Sequence, residues 1–243
     1  MQHHTEKKRL ITGILVFGIF TAFLWLIKGI ELLTGTSFSF LGIKPLEISG
    51  LTGILFAPLL HADVAHLTAN SAPLFLLGAA LVYYYRSESF KLTALLWLVT
   101  GAWVWLLARG NGVHIGASGL VYALAAFHFT SGIIRREPRL MAFSMLVIFL
   151  YGSMVWGFFP DFFPKRNISW ESHLMGAVAG IVIAIFYRDK GPQARKYEWE
   201  EESDDDPDDS GLPWRTNTDP KPAEPEPEHH DRKDPEILYD YKP

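Results

Sequence analysis

Six stretches of the chain, at roughly 10–27, 65–84, 92–108, 117–134, 140–160 and 172–187, are apolar over lengths that approach or exceed a bilayer crossing. A helix needs about 20 predominantly apolar residues to span the hydrocarbon core. In that medium every backbone N–H and C=O must find its partner inside the protein, which a helix achieves within one segment. The pattern predicts an all-α polytopic membrane protein with six transmembrane helices. The first stretch follows Lys7-Lys8-Arg9, as the apolar part of a signal peptide follows its basic start. No convincing small-x-small cleavage site comes after it and five further spans do, so it reads as a retained anchor.

Charge placement orients these spans. The formal net charge of -4 is an average of two unlike segments: residues 1–190 carry 15 Lys/Arg against 9 Asp/Glu, and residues 191–243 carry 7 against 17, with nine of the fifteen prolines. With the N-terminus inside, twelve basic residues fall at inner positions, among them Arg86, Lys91, Arg135, Arg136 and Arg188. Five, Lys28, Lys44, Arg109, Lys165 and Arg166, fall outside. That bias follows the positive-inside rule. The expectation is a cell-membrane protein with both termini cytoplasmic. It would comprise a cytoplasmic N-terminus (1–9), a six-span domain (10–190) and an acidic, Pro-rich tail (191–243). The tail has too few aliphatic residues to offset ordering entropy, so disorder is its default and its partner is unknown. The absence of cysteine excludes a disulfide framework and a thiolate site. The bilayer is the expected partner, and no nucleic acid is.

The segment 29–63 between the first two spans is long and oddly apolar for a loop that faces water. Its stretch 51–60 is too short to cross and is expected to lie in the interface or re-enter the membrane.

Three polar clusters start spans two, four and six. Gly116-Ala117-Ser118-Gly119 opens span four after the Gly-rich run 110–116, which places Ser118 in the first helical turn. Amides there lack intrahelical acceptors and can donate to developing negative charge. A serine nucleophile at that point carries part of an oxyanion site, its own amide, in its backbone. Span six begins at His173, and Gly176, Gly180 and Ala184 form a smooth stripe along it. Such a stripe lets another backbone approach closely, and Gly119 and Ala123 of span four offer the matching one. If they meet, Ser118 and His173 share a depth, and Tyr122, one turn below Ser118, can pack on the imidazole. At the start of span two, His66 and Asn70 share a helical face and donate hydrogen bonds without net charge, which suits an oxyanion. His61, five residues before His66, belongs to the preceding loop and supports it.

Metal chemistry fits poorly. His61, Asp63 and His66 lack the spacing of ligands on one helical face, and no His-Glu-x-x-His occurs. No metal and no other cofactor is expected. An intramembrane aspartyl protease needs paired aspartates within spans, and the six stretches hold none.

Taken together, His61-x4-His66-x3-Asn70, Gly116-Ala117-Ser118-Gly119 with Tyr122, and His173-x2-Gly176-x3-Gly180 resemble the rhomboid family of intramembrane serine proteases, in family order over roughly 10–188. The resemblance implies a six-helix rhomboid-like bundle with a partly membrane-embedded first external loop. It implies Ser118 as nucleophile, His173 as general base and acid, and an oxyanion hole of His66, Asn70 and the Ser118 backbone amide. Tyr122 would stack on His173, Gly116 and Gly119 would flank the nucleophile, and Gly176 and Gly180 would let span six pack on span four. It further implies a cavity open to the external side and a lateral entrance gated by span five and the loop before span six. The substrates implied are single-span or multi-span membrane proteins, cut by an intramembrane serine endopeptidase through an acyl-enzyme at a small residue in a locally unwound helix. A Trp-Arg pair found in the first loop of some bacterial members is missing here, which leaves that loop's support unassigned. Two rivals compete with this reading. A catalytically silent relative would typically have lost Ser118 or His173, and both are intact. A small transporter would call for charges within spans or paired broken helices, which the stretches lack.

Overall fold

The computed structural model describes residues 2–110, 112–150 and 169–191, all within the compact unit Met1–Arg195. The acidic tail expected at 191–243 lies, beyond its first residue, outside the described residues.

Seven helices occur among the described residues: α1 (Gln2–Thr34), a short α2 (Gly53–Phe56), α3 (Val64–Tyr85), α4 (Ser89–Leu107), α5 (Ser118–Ile134), α6 (Pro138–Leu150) and α7 (Trp170–Phe186). One isolated antiparallel bridge joins Ile43 and His114. The all-α expectation stands. Three helices, Glu6–Thr34, Val64–Tyr85 and Ser89–Leu107, are long and apolar enough to cross a membrane, which makes this a multi-pass membrane protein. α5 and α7 are apolar too, but each has 17 residues. The fifth stretch, expected over 140–160, is α6 to Leu150, and the remainder lies outside the described residues.

α1 departs from expectation at its end. The apolar pattern stops near 27, yet the helix continues to Thr34 and so includes Lys28 and Glu31. The two charges face one another at i,i+3 and are buried, so the helix carries them without exposing either to lipid.

α5 forms the centre of the bundle, with Ala123, Leu124 and Phe127 fully enclosed. α7 lies against it almost backbone to backbone. A Cβ built on Gly176 would stand 2.1 Å from the Gly119 carbonyl oxygen, and one on Gly180 would stand 2.2 Å from that of Ala123. The residue pairing advances in the same direction along both helices, so α5 and α7 are parallel and their N-termini lie at one end of the bundle. At the other end Arg135 donates to the carbonyls of Tyr187 and Lys190 and lies 5.2 Å from the Tyr85 ring centre. That guanidinium satisfies carbonyls at the end of α7 that have no intrahelical donor.

The segment between α1 and α3 folds into short helical turns, Ile48–Gly50, α2 and Ala57–Leu59. It leans on α4, whose indoles hold it: Trp97 Nε1 donates to the Ile54 carbonyl at 3.0 Å and Trp105 Nε1 to that of Glu47 at 2.8 Å. These two tryptophans supply loop support that the missing Trp-Arg pair left unassigned.

Candidate active site

Four segments meet where α5 begins. The chain entering α5 is tied to the α1–α3 loop at successive points. Ile43 and His114 exchange backbone hydrogen bonds of 3.0 and 2.9 Å, and the Gly116 amide donates to the Ala57 carbonyl at 2.8 Å. The Ala117 amide donates to His61 Nε2 at 3.3 Å. Gly116 has a φ of +119°, a conformation that L side chains rarely adopt, and a Cβ there would stand 2.6 Å from His66 Cε1. Glycine is required at 116 on both counts. With the 116 and 117 amides engaged, Ser118 supplies the first amide of the helix proper, which has no intrahelical acceptor. Its side chain is half-buried.

His61 lies in the loop before α3, as the sequence suggests, and is 3 % exposed. Burial first, and the neighbouring His66 second, push its pKa down to about 3. The ring is therefore neutral, with Nε2 unprotonated and free to accept from Ala117. It stands edge-on to His66, with ring centres 5.1 Å apart at 67°.

α3 begins with Asp63 as its cap, and the carboxylate accepts from the His66 amide at 2.7 Å. No group of three His, Cys, Asp or Glu suited to a metal occurs among the described residues. Asn70 donates one side-chain N–H to the His66 carbonyl at 2.9 Å. The carboxamide has a second N–H to offer. His66 and Asn70 thus follow one another down the face of α3 that adjoins Gly116.

His173 lies in the first turn of α7 and is buried. Its ring stacks flat on Tyr122, with centroids 4.2 Å apart and planes 10° from parallel. Ser118 is one turn above Tyr122 on the same side of α5. A Cβ on Gly119 would lie 3.3 Å from the carbonyl oxygen of Ser172, the residue before His173. The serine and the imidazole are thereby placed at matching levels of two helices in contact.

The N-terminus of α7 is secured by residues that sequence reasoning did not single out. Ser169 caps the helix: its carbonyl accepts from the His173 amide at 3.3 Å, and its hydroxyl meets that of Ser172 at 2.6 Å. The same hydroxyl pairs with His114 Nδ1, joining the α4–α5 loop to α7. Burial holds the His114 pKa below its ordinary value, and Glu171 opposes that effect. The Ser169-x-x-Ser172 pattern is a legible cap signal. Nothing at His114 signals its partner 55 residues away.

The family model described as the rhomboid domain matches residues 49–190, which contain His61, His66, Asn70, Ser118, Tyr122 and His173. An uncharacterized protein of Mycobacterium tuberculosis H37Rv is 37% identical to this chain over 185 residues, covering 74% of this chain and 77% of the relative. An uncharacterized protein of Mycobacterium bovis is equally similar. One of Mycobacterium leprae is 35% identical over the same length, 74% of this chain and 73% of its own.

Proposed function

The chain belongs to the rhomboid family, whose type of activity is intramembrane serine proteolysis, and from that premise we propose a Ser118–His173 endopeptidase that cleaves membrane segments of other proteins through an acyl-enzyme. The observation that carries this reading is the stacking of His173 on Tyr122, one turn from Ser118, across the close α5–α7 contact. It supports pairing a hydroxyl at a helix N-terminus with an imidazole held on an aromatic ring, the combination that nucleophilic catalysis requires.

In this mechanism His173 takes the Ser118 proton as Oγ attacks the scissile carbonyl. The oxyanion is received by the Ser118 amide, His66 and the second N–H of Asn70. Donors of this kind are worth about 3–4 kcal/mol each where mutation has removed one. His173 then protonates the leaving amine, the C–N bond breaks and Ser118 is left as an ester. Water gives a proton to His173, attacks the ester and returns Ser118 and a carboxylic acid. Tyr122 does the orienting that a carboxylate does in a triad.

The proposal includes six crossings, by α1, α3, α4, α5, α6 and α7, with both termini cytoplasmic and the Ser118 end facing outside. The distribution of basic residues supports that orientation. The turns between α1 and α3 would lie partly in the membrane beside α4. Substrates are single-span or multi-span membrane proteins that enter from the bilayer, unwound locally because an intact helix hides its carbonyls. The tail (191–243) has no part in the chemistry.

The test uses the full chain in liposomes with a single-span model substrate. Ser118→Ala and His173→Ala should each lower cleavage at least about a thousandfold while leaving the fold intact. Wild type, but neither variant, should be labelled by a fluorophosphonate. Undiminished cleavage by Ser118→Ala refutes the mechanism.

A further inference from the structure

We propose that Lys28 and Glu31, on α1 and outside the family-matched segment 49–190, are positioning residues that hold the Ser118 amide in place through His61. The inference rests on Ser118 being the nucleophile. Its physical basis is where the lysine spends its donors. Lys28 Nζ donates to Glu31 Oε2 at 2.9 Å, to the His61 carbonyl at 2.8 Å and to the Ala62 carbonyl at 3.1 Å. An ammonium has three N–H groups, and all three are used. A pair serving α1 alone would be complete at i,i+3. Here two of three donors leave the helix for consecutive carbonyls of a distant loop.

Glu31 extends the hold. Its Oε1 accepts from the Phe38 amide at 2.7 Å, which fixes the chain as it leaves α1. Both residues are buried, at 8 % and 6 % exposure, on a helix whose apolar window has a mean hydropathy of 2.5. Charge in such a setting is costly and is retained mainly where it does something.

What the pair holds is the backbone that carries the His61 imidazole. That ring accepts from the Ala117 amide, the last amide before Ser118, at 3.3 Å. A contact already at the long end of hydrogen-bond range is lost with a shift of a few tenths of an ångström. On the other side, Ala62 leads directly into Asp63 and the cap of α3, which sets His66. Lys28 thus acts at the junction from which both His61 and His66 are presented to the Gly116-Ala117-Ser118 turn. It touches neither substrate nor reacting atoms.

Three full-length variants test this in liposomes: Lys28→Met, Glu31→Gln and the double variant. For each, kcat, KM, thermal stability and hydrogen–deuterium exchange of the 112–118 peptide are measured. Lys28→Met should lower kcat at least tenfold, leave KM within twofold and speed exchange at Ala117 at least tenfold. The double variant buries no unpaired charge, so it should recover thermal stability but neither kcat nor the protection of Ala117. Recovery of kcat together with stability would make the pair merely structural and overturn the proposal. So would unchanged exchange at Ala117 in Lys28→Met. If wild type and Ser118→Ala are equally inactive, the protease reading has failed, and Ala117 exchange still decides whether Lys28 holds the His61 contact.

Discussion

Replacing His61 by Gln should flatten the acid sensitivity of folding. In the native protein the ring is 3 % exposed and accepts from the Ala117 amide, and burial with His66 alongside depresses its pKa from 6.5 to about 3. Because the folded value lies below the unfolded one, the unfolded chain binds the extra proton between them. The stability that the neutral ring provides is complete above the unfolded pKa and is lost as pH falls through it. Lowering pH from about 7.5 to about 5 crosses the unfolded value and stays well above the folded one. Only the unfolded state gains the proton, which at about 1.4 kcal/mol per tenfold step costs the fold about 2 kcal/mol. Gln keeps an acceptor for the Ala117 amide but does not titrate. The unfolding free energies of wild type and His61→Gln in mixed micelles, followed by circular dichroism at both pH values, supply the comparison. His114, whose pKa burial also lowers, is common to both proteins and cancels. The variant should lose about 2 kcal/mol less than wild type on acidification. Losses equal to within about 0.5 kcal/mol would refute the argument that burial holds this ring neutral.

Two further outcomes follow from the α5–α7 contact. Gly180→Ala places a methyl 2.2 Å from the Ala123 oxygen and 2.9 Å from the Phe127 nitrogen, both backbone atoms that cannot rotate away. It should destabilise by about 1–3 kcal/mol or more and, by displacing the helix that bears His173, lower kcat by about a hundredfold; full stability and activity would argue against the backbone contact. Tyr122→Ala removes the ring on which His173 stacks and should slow both cleavage and fluorophosphonate labelling by about tenfold, in keeping with the 0.5–1.5 kcal/mol typical of ring pairs. Tyr122→Phe keeps the ring and should stay within about twofold of wild type. Equal loss in the two would assign the effect to the hydroxyl instead.

Much of this was legible because a bilayer imposes length and hydropathy on the chain. The opening of α5 at Ser118 and the glycine stripe of α7 follow from residue types alone, since only small side chains permit helices to approach so closely. The end of α1 was not legible. Lys28 and Glu31 each count against a membrane span when read singly, and only their pairing, with two loop carbonyls and an amide as further partners, makes them acceptable inside one. The supports of the α1–α3 loop escaped for a related reason. Trp97, Trp105 and His61 all bond to backbone groups, and a backbone carbonyl or amide leaves no mark in a sequence. The His114–Ser169 pair joins side chains, but nothing in their spacing announces it.

These hidden contacts share a property that bears on how the proposed chemistry would work. Apart from the Asp63 carboxylate that caps the His66 amide, the groups around Ser118 are held by neutral partners: an uncharged His61, a flat Tyr122, a carboxamide bonded to its own helix, and backbone amides. A carboxylate placed against His173, as in a triad, would have to be stripped of water inside the bundle, at a cost that its attraction to the imidazolium need not repay. Fixed dipoles avoid that cost. They are least needed in the ground state and most effective when the oxyanion appears, because they require no reorganisation as charge develops. The buried ion pair found near the site among the described residues, Lys28 with Glu31, stands back from the reacting atoms and acts on backbone carbonyls, where its charge is spent on geometry. On this view the site depends on the rigidity of its loops more than on any single charged partner, and substitutions that loosen those loops should reduce kcat before they unfold the protein.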